Sequence, residues 1–206
     1  MKILYEDNYI IAVNKPAGLL SIATDKEKVR TAYREIREYA GRIFVVHRLD
    51  RDTSGVFIVA KDERTKRTLQ DNWNPQRGYI AIVEGILRRK SGRIETFLRE
   101  TKTHFMYSAP SGQKAITNYR VVGESGGYSL VEITIETGRK NQIRVHMAEI
   151  GHPIAGDKKY GAKTNPLRRL GLHACSLEFA HPVTKKNIAV KADVPASFAR
   201  LVPATI

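Results

Sequence analysis

The feature that most limits the possible folds is a two-residue alternation near the middle of the chain. Apolar and polar residues alternate from Val131 to Glu136, within the stretch 128–137. Because successive side chains of a strand point to opposite faces, this pattern is typical of a half-buried strand. A second strand is predicted over 115–122, and the glycine-rich turn 123–127 joins the two. The middle of the chain therefore predicts an antiparallel hairpin.

Short apolar stretches bounded by Gly, Pro, Asn or Asp predict further strands. These strands cover residues 3–5, 10–14, 43–46, 56–61, 78–85, 93–98, 174–180 and 188–194. Helical spacing predicts helices over 27–40, ended by Gly41, over 62–73, capped by Asp62, and from Ile143 to Ile150. Strands joined by short turns indicate an α+β fold with a mixed, mainly antiparallel sheet and flanking helices and loops. We expect a single domain over residues 1–206.

The charge of the chain favours a polyanionic partner. The sequence has 35 Lys and Arg against 21 Asp and Glu, a formal net charge of +14. Such a surplus attracts nucleic acid, although a surface that serves only solubility is an alternative. An anionic membrane is a further alternative, but the sequence has no basic amphipathic helix with a Trp or Phe face.

The cysteine count and the N-terminus indicate a soluble cytoplasmic protein. Cys175 is the single cysteine, which excludes an intrachain disulfide and a thiolate metal cluster. The N-terminus lacks the basic and then apolar layout of a signal peptide. Aliphatic stretches such as Val56–Ala60 are too short to span a bilayer. We therefore expect no membrane partner.

Several common catalytic motifs are missing from the sequence. It has no glycine-rich phosphate loop and no nucleophile elbow. The six histidines stand at 47, 104, 146, 152, 173 and 181, without metal-ligand spacing. We expect no metal site, so ordinary side chains must carry any chemistry.

The densest polar cluster, residues 47–54, interrupts two apolar strands. It contains two acids, two arginines, a histidine, a threonine and a serine. A solvated hairpin loop is one interpretation, because Asp, Thr, Ser and Gly all favour turns. The other is a reactive site, because Asp50 is predicted at the end of a buried strand, where functional groups are commonly held.

A second cluster, residues 137–146, has three bases and no acid over a predicted helix start. Arg144 follows the core-facing Ile143 by one position and can point inward toward a carboxylate. A solvated cationic helix face is the alternative.

Four motifs in order resemble those of the RluA-type RNA pseudouridine synthase family. They are Asn14-Lys15-Pro16-Ala17-Gly18-Leu19-Leu20, His47-Arg48-Leu49-Asp50-Arg51-Asp52-Thr53-Ser54-Gly55, Gly78-Tyr79-Ile80-Ala81-Ile82-Val83-Glu84-Gly85 and Gly138-Arg139-Lys140-Asn141-Gln142-Ile143-Arg144-Val145-His146-Met147, the last continuing through Gly151–Asp157 to Tyr160-Gly161. The resemblance covers nearly the whole chain. It favours the enzyme over the plain loop and the solvated helix face.

The resemblance implies an isomerisation of uridine within an RNA chain. The N-glycosidic bond breaks, the uracil turns, and C5 is joined to the ribose carbon. No oxidation occurs, so no cofactor is expected. The resemblance assigns Asp50 as the catalytic carboxylate, which attacks the sugar, attacks the ring or takes a proton from the sugar.

The resemblance also assigns residues that assist Asp50 and bind RNA. Arg144 is expected to form an ion pair with Asp50, and Tyr79 to stack on the uracil near the departing C5 proton. Arg48 is expected to fill the space left by the flipped nucleotide, and His47 to support its loop. Three acid-free basic stretches, 86–93, 138–148 and 158–177, are expected to contact phosphates. The candidates there are Arg88, Arg89, Arg139, Lys140, Lys158 and Lys159.

The resemblance leaves the partner open between ribosomal RNA, which we favour, and transfer RNA. No obligate protein partner is implied, and a monomer is expected. The chain departs from many relatives in having Asn at 141 instead of His, and in beginning at the catalytic domain without the N-terminal RNA-binding appendage. The first departure bears on the fine positioning of nearby groups, and the second bears on the choice of RNA substrate.

Two other classes of protein fit parts of the sequence. A non-catalytic RNA-binding or assembly protein on the same scaffold would not need Asp50, Tyr79 and Arg144 together. A glycoside hydrolase would need a second carboxylate, for which Asp52 is the close candidate. Trp73 is the sole tryptophan, so a sugar-stacking Trp beside Asp52 is not apparent.

Overall fold

A computed structural model describes residues 1–23, 29–71 and 74–205 of the chain. These residues form two compact units, the first from 1–76 and 174–193 and the second from 77–173 and 194–206. The expectation of one domain stays a prediction.

The strands and helices are numbered in chain order. The strands are β1 (Lys2–Glu6), β2 (Ile10–Lys15), β3 (Phe44–Val45), β4 (Ser54–Ala60), β5 (Gln76–Glu84), β6 (Ser91–Glu100), β7 (Met106–Ala109), β8 (Gln113–Ser125), β9 (Tyr128–Ile135), β10 (Leu172–Ala180) and β11 (Asn187–Lys191). The helices are α1 (Ala32–Ala40), α2 (Glu63–Asp71), α3 (Gln142–Glu149) and α4 (Ala196–Leu201), with a short 3₁₀ helix over Lys158–Tyr160. This content confirms the predicted α+β class.

The first unit is built around β4, whose seven residues are all buried. Its strands lie in the order β1-β2-β4-β10-β11, and β3 also pairs with β4. The antiparallel β2–β4 register runs from Ile10 opposite Ala60 to Lys15 opposite Gly55. A strand with neighbours on both edges and covered faces has no solvated side, which explains why the apolar run Val56–Ala60 lacks alternation.

The predicted start of the first helix at Glu27 is wrong. Residues 27–28 lie outside the described part of the chain, but Val29 and Arg30 are not helical and α1 begins at Ala32. Thr31 sets this start because its hydroxyl accepts the backbone N–H of Arg34 at 3.1 Å. Gly41 closes the helix as predicted, with a φ of 77° and its N–H donated to Arg37.

The second helix begins as predicted, because the Asp62 carboxylate accepts the backbone N–H of Thr65 at 2.8 Å. Its described part ends at Asp71, and the predicted end at Trp73 lies outside the described residues.

The second unit contains the antiparallel strands β5-β9-β8-β6-β7 in that order. The hairpin predicted near Val131 is present, but its turn is shorter than 123–127 because β8 continues to Ser125. A bulge between Val121 and Gly123 lets the longer strand stay paired. Strand β7 and helix α4 were not predicted.

Helix α3 packs on this second sheet. Ile143 and Met147 belong to one buried cluster with residues of β5 and β9, including Ala81 and Ile133. Their spacing of four residues places both on one helix face. Arg144 is held between the buried Ile143 and Val145, so the packing of α3 fixes where its side chain starts.

Candidate active site

The loop that carries Asp50 is anchored on both sides of that residue. The Ser21 hydroxyl donates to the carbonyl of Leu49 at 2.7 Å and accepts the N–H of the same residue at 3.1 Å. On the other side, the carbonyl of Arg51 accepts the N–H of Gly18 at 3.0 Å. With both neighbours fixed and its own carbonyl bonded to Thr53 N–H at 3.2 Å, the backbone of the half-buried Asp50 has little freedom.

The buried Lys15 side chain also links the Asp50 loop to residues 16–19. It is 0% exposed, although the strand that Lys15 ends begins with four apolar residues. The ammonium donates to the carbonyls of Pro16 at 3.0 Å, Leu19 at 2.6 Å and Arg51 at 3.0 Å. A buried charge is tolerated only with such partners, so Lys15 is a structural cation of the Asp50 loop.

The start of β4 leaves no space for a side chain at Gly55. A Cβ atom there would lie 2.1 Å from the carbonyl oxygen of Ala174, and the φ of Gly55 is 118°. His47 supports the same strand, because its Nε2 atom accepts the N–H of Ile58 at 3.1 Å. The scaffold role expected for His47 is consistent with this bond, whereas Arg48 is exposed beside it.

Arg144 is oriented by a buried carboxylate of the second unit, Asp157. Its Nε and Nη2 atoms donate to the two oxygens of Asp157 at 2.7 and 2.8 Å. The Asp157 side chain is 1% exposed and that of Arg144 is 11% exposed. This two-point pair in a shielded place fixes the plane of the guanidinium. The predicted pair of Arg144 with Asp50 involves both units and stays a prediction.

Asn141 and Tyr160 complete the surroundings of Arg144. The Asn141 amide oxygen accepts from Nη1 of Arg144 at 3.2 Å, and its amide nitrogen donates to the Tyr160 hydroxyl at 3.0 Å. The guanidinium lies 5.0 Å from the centre of the Tyr160 ring. Asn141 adopts a left-handed conformation with a φ of 53°, which asparagine tolerates better than most residues. The departure at position 141 therefore still serves to position Arg144.

His146 lies one helical position beyond Val145 and is fully buried. Its Nε2 atom lies 2.9 Å from the Thr96 hydroxyl and its Nδ1 atom 2.8 Å from that of Thr117. Burial lowers the pKa of His146 to about 4. A neutral imidazole between two hydroxyls serves the fold of the second unit and not proton transfer.

Tyr79 lies on β5, half-buried, and packs against the same core cluster as α3. The basic residues expected to contact RNA are all exposed: Arg88, Arg89, Arg139, Lys140, Lys158 and Lys159. Lys140 pairs with Glu100, and Lys159 donates to the carbonyl of His104 at 3.0 Å. Exposure makes them accessible to RNA, but their role stays a prediction.

The structure divides the predicted residues between the two units. His47, Arg48 and Asp50 belong to the first, while Tyr79, Arg144 and the other basic residues belong to the second. Sequence reasoning missed Lys15, Ser21, Asp157 and Tyr160 as supporting residues. The available signal for Lys15 was a charged residue at the end of a strand that begins with four apolar residues. Asp157, which pairs with Arg144, had no signal in the spacing.

The described residues lack a cluster of metal ligands and a membrane-spanning helix. They contain no group of three or more His, Cys, Asp or Glu that could hold a metal ion. Within residues 1–23, 29–71 and 74–205, no helix is long and apolar enough to cross a membrane.

Comparison with known proteins identifies the family. Residues 9–149 match the family model described as RNA pseudouridylate synthase. The chain is 36% identical to the Bacillus subtilis RNA pseudouridine synthase YhcT, with 98% of this chain and 71% of that protein covered. It is also 36% identical to ribosomal large subunit pseudouridine synthase D of Haemophilus influenzae, with 99% and 70% covered.

Another relative is named for a different RNA, and the fold has solved counterparts. The chain is 34% identical to tRNA pseudouridine synthase C of Pasteurella multocida, with 94% of this chain and 91% of that protein covered. Its fold matches human RNA pseudouridylate synthase domain containing 1 with a TM-score of 0.80 at 24% identity, over 94% of this chain and 83% of the other. The chain belongs to the RNA pseudouridylate synthase family and is an RNA pseudouridine synthase.

Proposed function

We propose that this enzyme converts particular uridines of structured RNA, in the first place ribosomal RNA, into pseudouridine with Asp50 as its catalytic carboxylate. The observation that carries this proposal is the double anchoring of the Asp50 loop, through Ser21 at Leu49 and through Lys15 and Gly18 at Arg51. A carboxylate on a backbone held this firmly needs less ordering before it meets a reacting ribose or base.

Arg144 and Tyr79 are proposed to act with Asp50. A guanidinium whose plane is fixed by Asp157 can present its remaining donors to a second anion, and a cation near a carboxylate favours its charged form. Tyr79 is proposed to stack on the uracil, which is worth about 1–3 kcal/mol per base. Neither role depends on whether Asp50 attacks the sugar, attacks the base or removes a sugar proton.

Base flipping is proposed because the glycosidic bond of a stacked uridine is out of reach of a side chain. Extruding a nucleotide costs a few kcal/mol, least for a base in a loop or bulge. The exposed Arg48, two residues before Asp50, is proposed to occupy the space that the uridine leaves.

The proposal is tested first with Asp50→Ala and RNA carrying C5-tritiated uridine. Tritium release should be abolished in the variant while RNA binding survives. Asp52→Asn is the matched control, because Asp52 is an exposed carboxylate of the same loop and should not be needed. Equal tritium release by Asp50→Ala and the wild type would contradict the assignment, and release of free uracil would support the hydrolase instead.

The RNA substrate requires a separate experiment. Relatives named for ribosomal RNA and for transfer RNA both match this chain. Pseudouridine mapping in cells without the gene should show a position lost from large-subunit ribosomal RNA. A loss confined to transfer RNA would overturn the substrate assignment and leave the enzyme assignment intact. A protein that binds RNA without any change in pseudouridine would fit the non-catalytic alternative.

We further propose that the protein acts as a monomer in the cytoplasm without an obligate protein partner. A net charge of +14 favours RNA over another copy of the same chain as partner. Light scattering at micromolar concentration should give the mass of one chain, and a stable dimer would contradict this.

A further inference from the structure

Arg77, on β5, has a charge that the site described above does not use. Its side chain is half-buried, and its Nε atom is shielded from solvent and has no hydrogen-bond partner within residues 1–23, 29–71 and 74–205. Among the residues that the structure describes, no acidic side chain pairs with it. Because a guanidinium has five donors and a permanent charge, shielding it without a partner is costly. An anionic ligand at the accessible part of the guanidinium would offset part of that cost.

The position of Arg77 places it next to the proposed base-stacking residue. Residues two apart on a strand face the same side, so Arg77 and Tyr79 share one face of β5. Arg77 lies opposite Ile135 and Tyr79 opposite Ile133 on β9, and both isoleucines belong to the core cluster. Arg77 therefore ends the inward-facing row of β5, just beyond Tyr79.

Gly138 makes room for the guanidinium. A Cβ atom at this position would lie 2.1 Å from Nη1 of Arg77. The loop 136–141, which contains Gly138, is firmly held by Gln142. The buried Gln142 side chain accepts from the N–H of Arg139 at 3.0 Å and donates to the carbonyl of Ile116 at 2.9 Å. The backbone at Gly138 thus lies directly against Arg77.

A second cation, Arg139, directly follows Gly138 in the same loop. Burial lowers the pKa of Arg77 most, Tyr79 raises it, and the positive charge of Arg139 lowers it again. The Arg139 Nε atom donates to the carbonyl of Lys114 at 3.0 Å, which directs an otherwise exposed side chain. Guanidinium groups on a strand and on the loop packed against it can together bind a phosphate through charge-assisted hydrogen bonds.

We propose that Arg77 and Arg139, with Gly138 between them, bind a backbone phosphate of the RNA next to the nucleotide that stacks on Tyr79. The inference rests on the proposed function in taking RNA as the ligand and Tyr79 as its stacking residue. It assigns to Arg77 a binding role beside the flipped base, because Arg77 lies two residues from Tyr79 on the same face of β5.

The test measures how RNA affinity depends on salt. The probe is a fluorescent RNA hairpin of roughly 20 nucleotides with uridines in its loop, titrated at several KCl concentrations. Arg77→Met should bind about tenfold more weakly at low salt. The slope of log K against log[KCl] should become shallower by about 0.7–0.9, the value for one lost phosphate contact. Arg77→Lys keeps the charge and should keep the slope.

Two further variants make the test specific. Gly138→Ala should push the flexible guanidinium aside and reproduce part of the loss while Arg77 is still present. Arg120→Met is the matched control, because Arg120 is exposed, pairs with Glu132 at 2.6 Å and lies on the strand β8 away from this loop. It removes the same charge and should leave the slope unchanged.

Two results would overturn the inference. One is an equal slope for Arg77→Met and Arg120→Met. The other combines two observations: Arg77→Met keeps the wild-type salt slope for RNA binding, and inorganic phosphate raises the unfolding temperature of the wild type but not of Arg77→Met. That result would assign the site to free phosphate. Arg77-dependent RNA binding without pseudouridine formation would instead contradict the proposed function and leave the phosphate site standing.

Discussion

The loop around Asp50 is fixed through its backbone, whereas Arg144 is fixed through its side chain. Lys15 and Ser21 bind the peptide groups of Leu49 and Arg51 on either side of Asp50. Arg144 instead starts from a packed helix, and its guanidinium is held by the carboxylate of Asp157. A substitution among the anchors of the Asp50 loop should therefore displace the whole loop. A substitution at Asp157 should only rotate the guanidinium of Arg144.

The largest effect is expected for Lys15→Met, which keeps the buried stem but removes the ammonium. Three carbonyls lose a charged donor, and each such bond is worth about 1.5–3 kcal/mol. We expect the free energy of unfolding to fall by about 3 kcal/mol or more, measured by urea denaturation, with activity lost as well. Lys61→Met, which breaks a more exposed pair with Glu6, should cost less than about 1 kcal/mol. Equal losses would contradict a special role for Lys15.

A similar effect is expected from acid, through His146 on the same helix as Arg144. His146 is neutral in the folded protein, with its pKa lowered to about 4, while the unfolded chain takes up a proton below about pH 6.5. Stability is thus complete above pH 6.5 and falls as the pH decreases toward 4, by about 3 kcal/mol in total. In His146→Gln, the free energy of unfolding should depend less on pH between pH 7 and 5, as measured by urea denaturation at each pH. An unchanged pH dependence in this variant would exclude His146 as its source.

A smaller loss of stability, with a specific loss of activity, is expected for Asp157→Asn. The amide keeps one acceptor but loses the charged pair with two hydrogen bonds. The free energy of unfolding should therefore fall by about 1.5–3 kcal/mol. We expect kcat to fall at least tenfold with little change in KM, because Arg144 remains present but turned. Glu132→Gln breaks an exposed arginine pair in the same unit and should leave kcat unchanged. A wild-type kcat in Asp157→Asn would mean that the orientation of Arg144 does not matter.

The smallest effect is expected for Ser21→Ala. It removes a hydroxyl that bonds both backbone groups of Leu49, at a cost of about 1–2 kcal/mol. Since Lys15 still holds Arg51, activity should fall only a fewfold. Ser91→Ala, at an exposed strand start, is the control for stability. A loss as large as that of Lys15→Met would show that Ser21 is the main anchor of the loop.

Local patterns in the sequence were sufficient for most of the elements. The alternation up to Glu136 predicted β9, and Asp62 and Gly41 set helix ends, because caps and periodicity depend on neighbours in the chain. The start of α1 was missed because the Thr31 cap competes with an apolar periodicity that begins earlier. Strand β7 and helix α4 were missed because they are short, and short elements depend on tertiary packing.

By itself, the sequence determined the α+β class, the family motifs and the candidates Asp50, Tyr79 and Arg144. Only the tertiary structure decided which groups hold or surround them. The partners of Lys15 include Arg51, those of Arg144 include Asp157, and Arg77 lies against Gly138. Hydrogen bonds and ion pairs join groups by distance in space, and residues far apart in the chain leave no periodic pattern when they meet. The anchors of the proposed catalytic residues, and the lack of an acidic partner for Arg77 among the described residues, could therefore not be predicted from the order of residues.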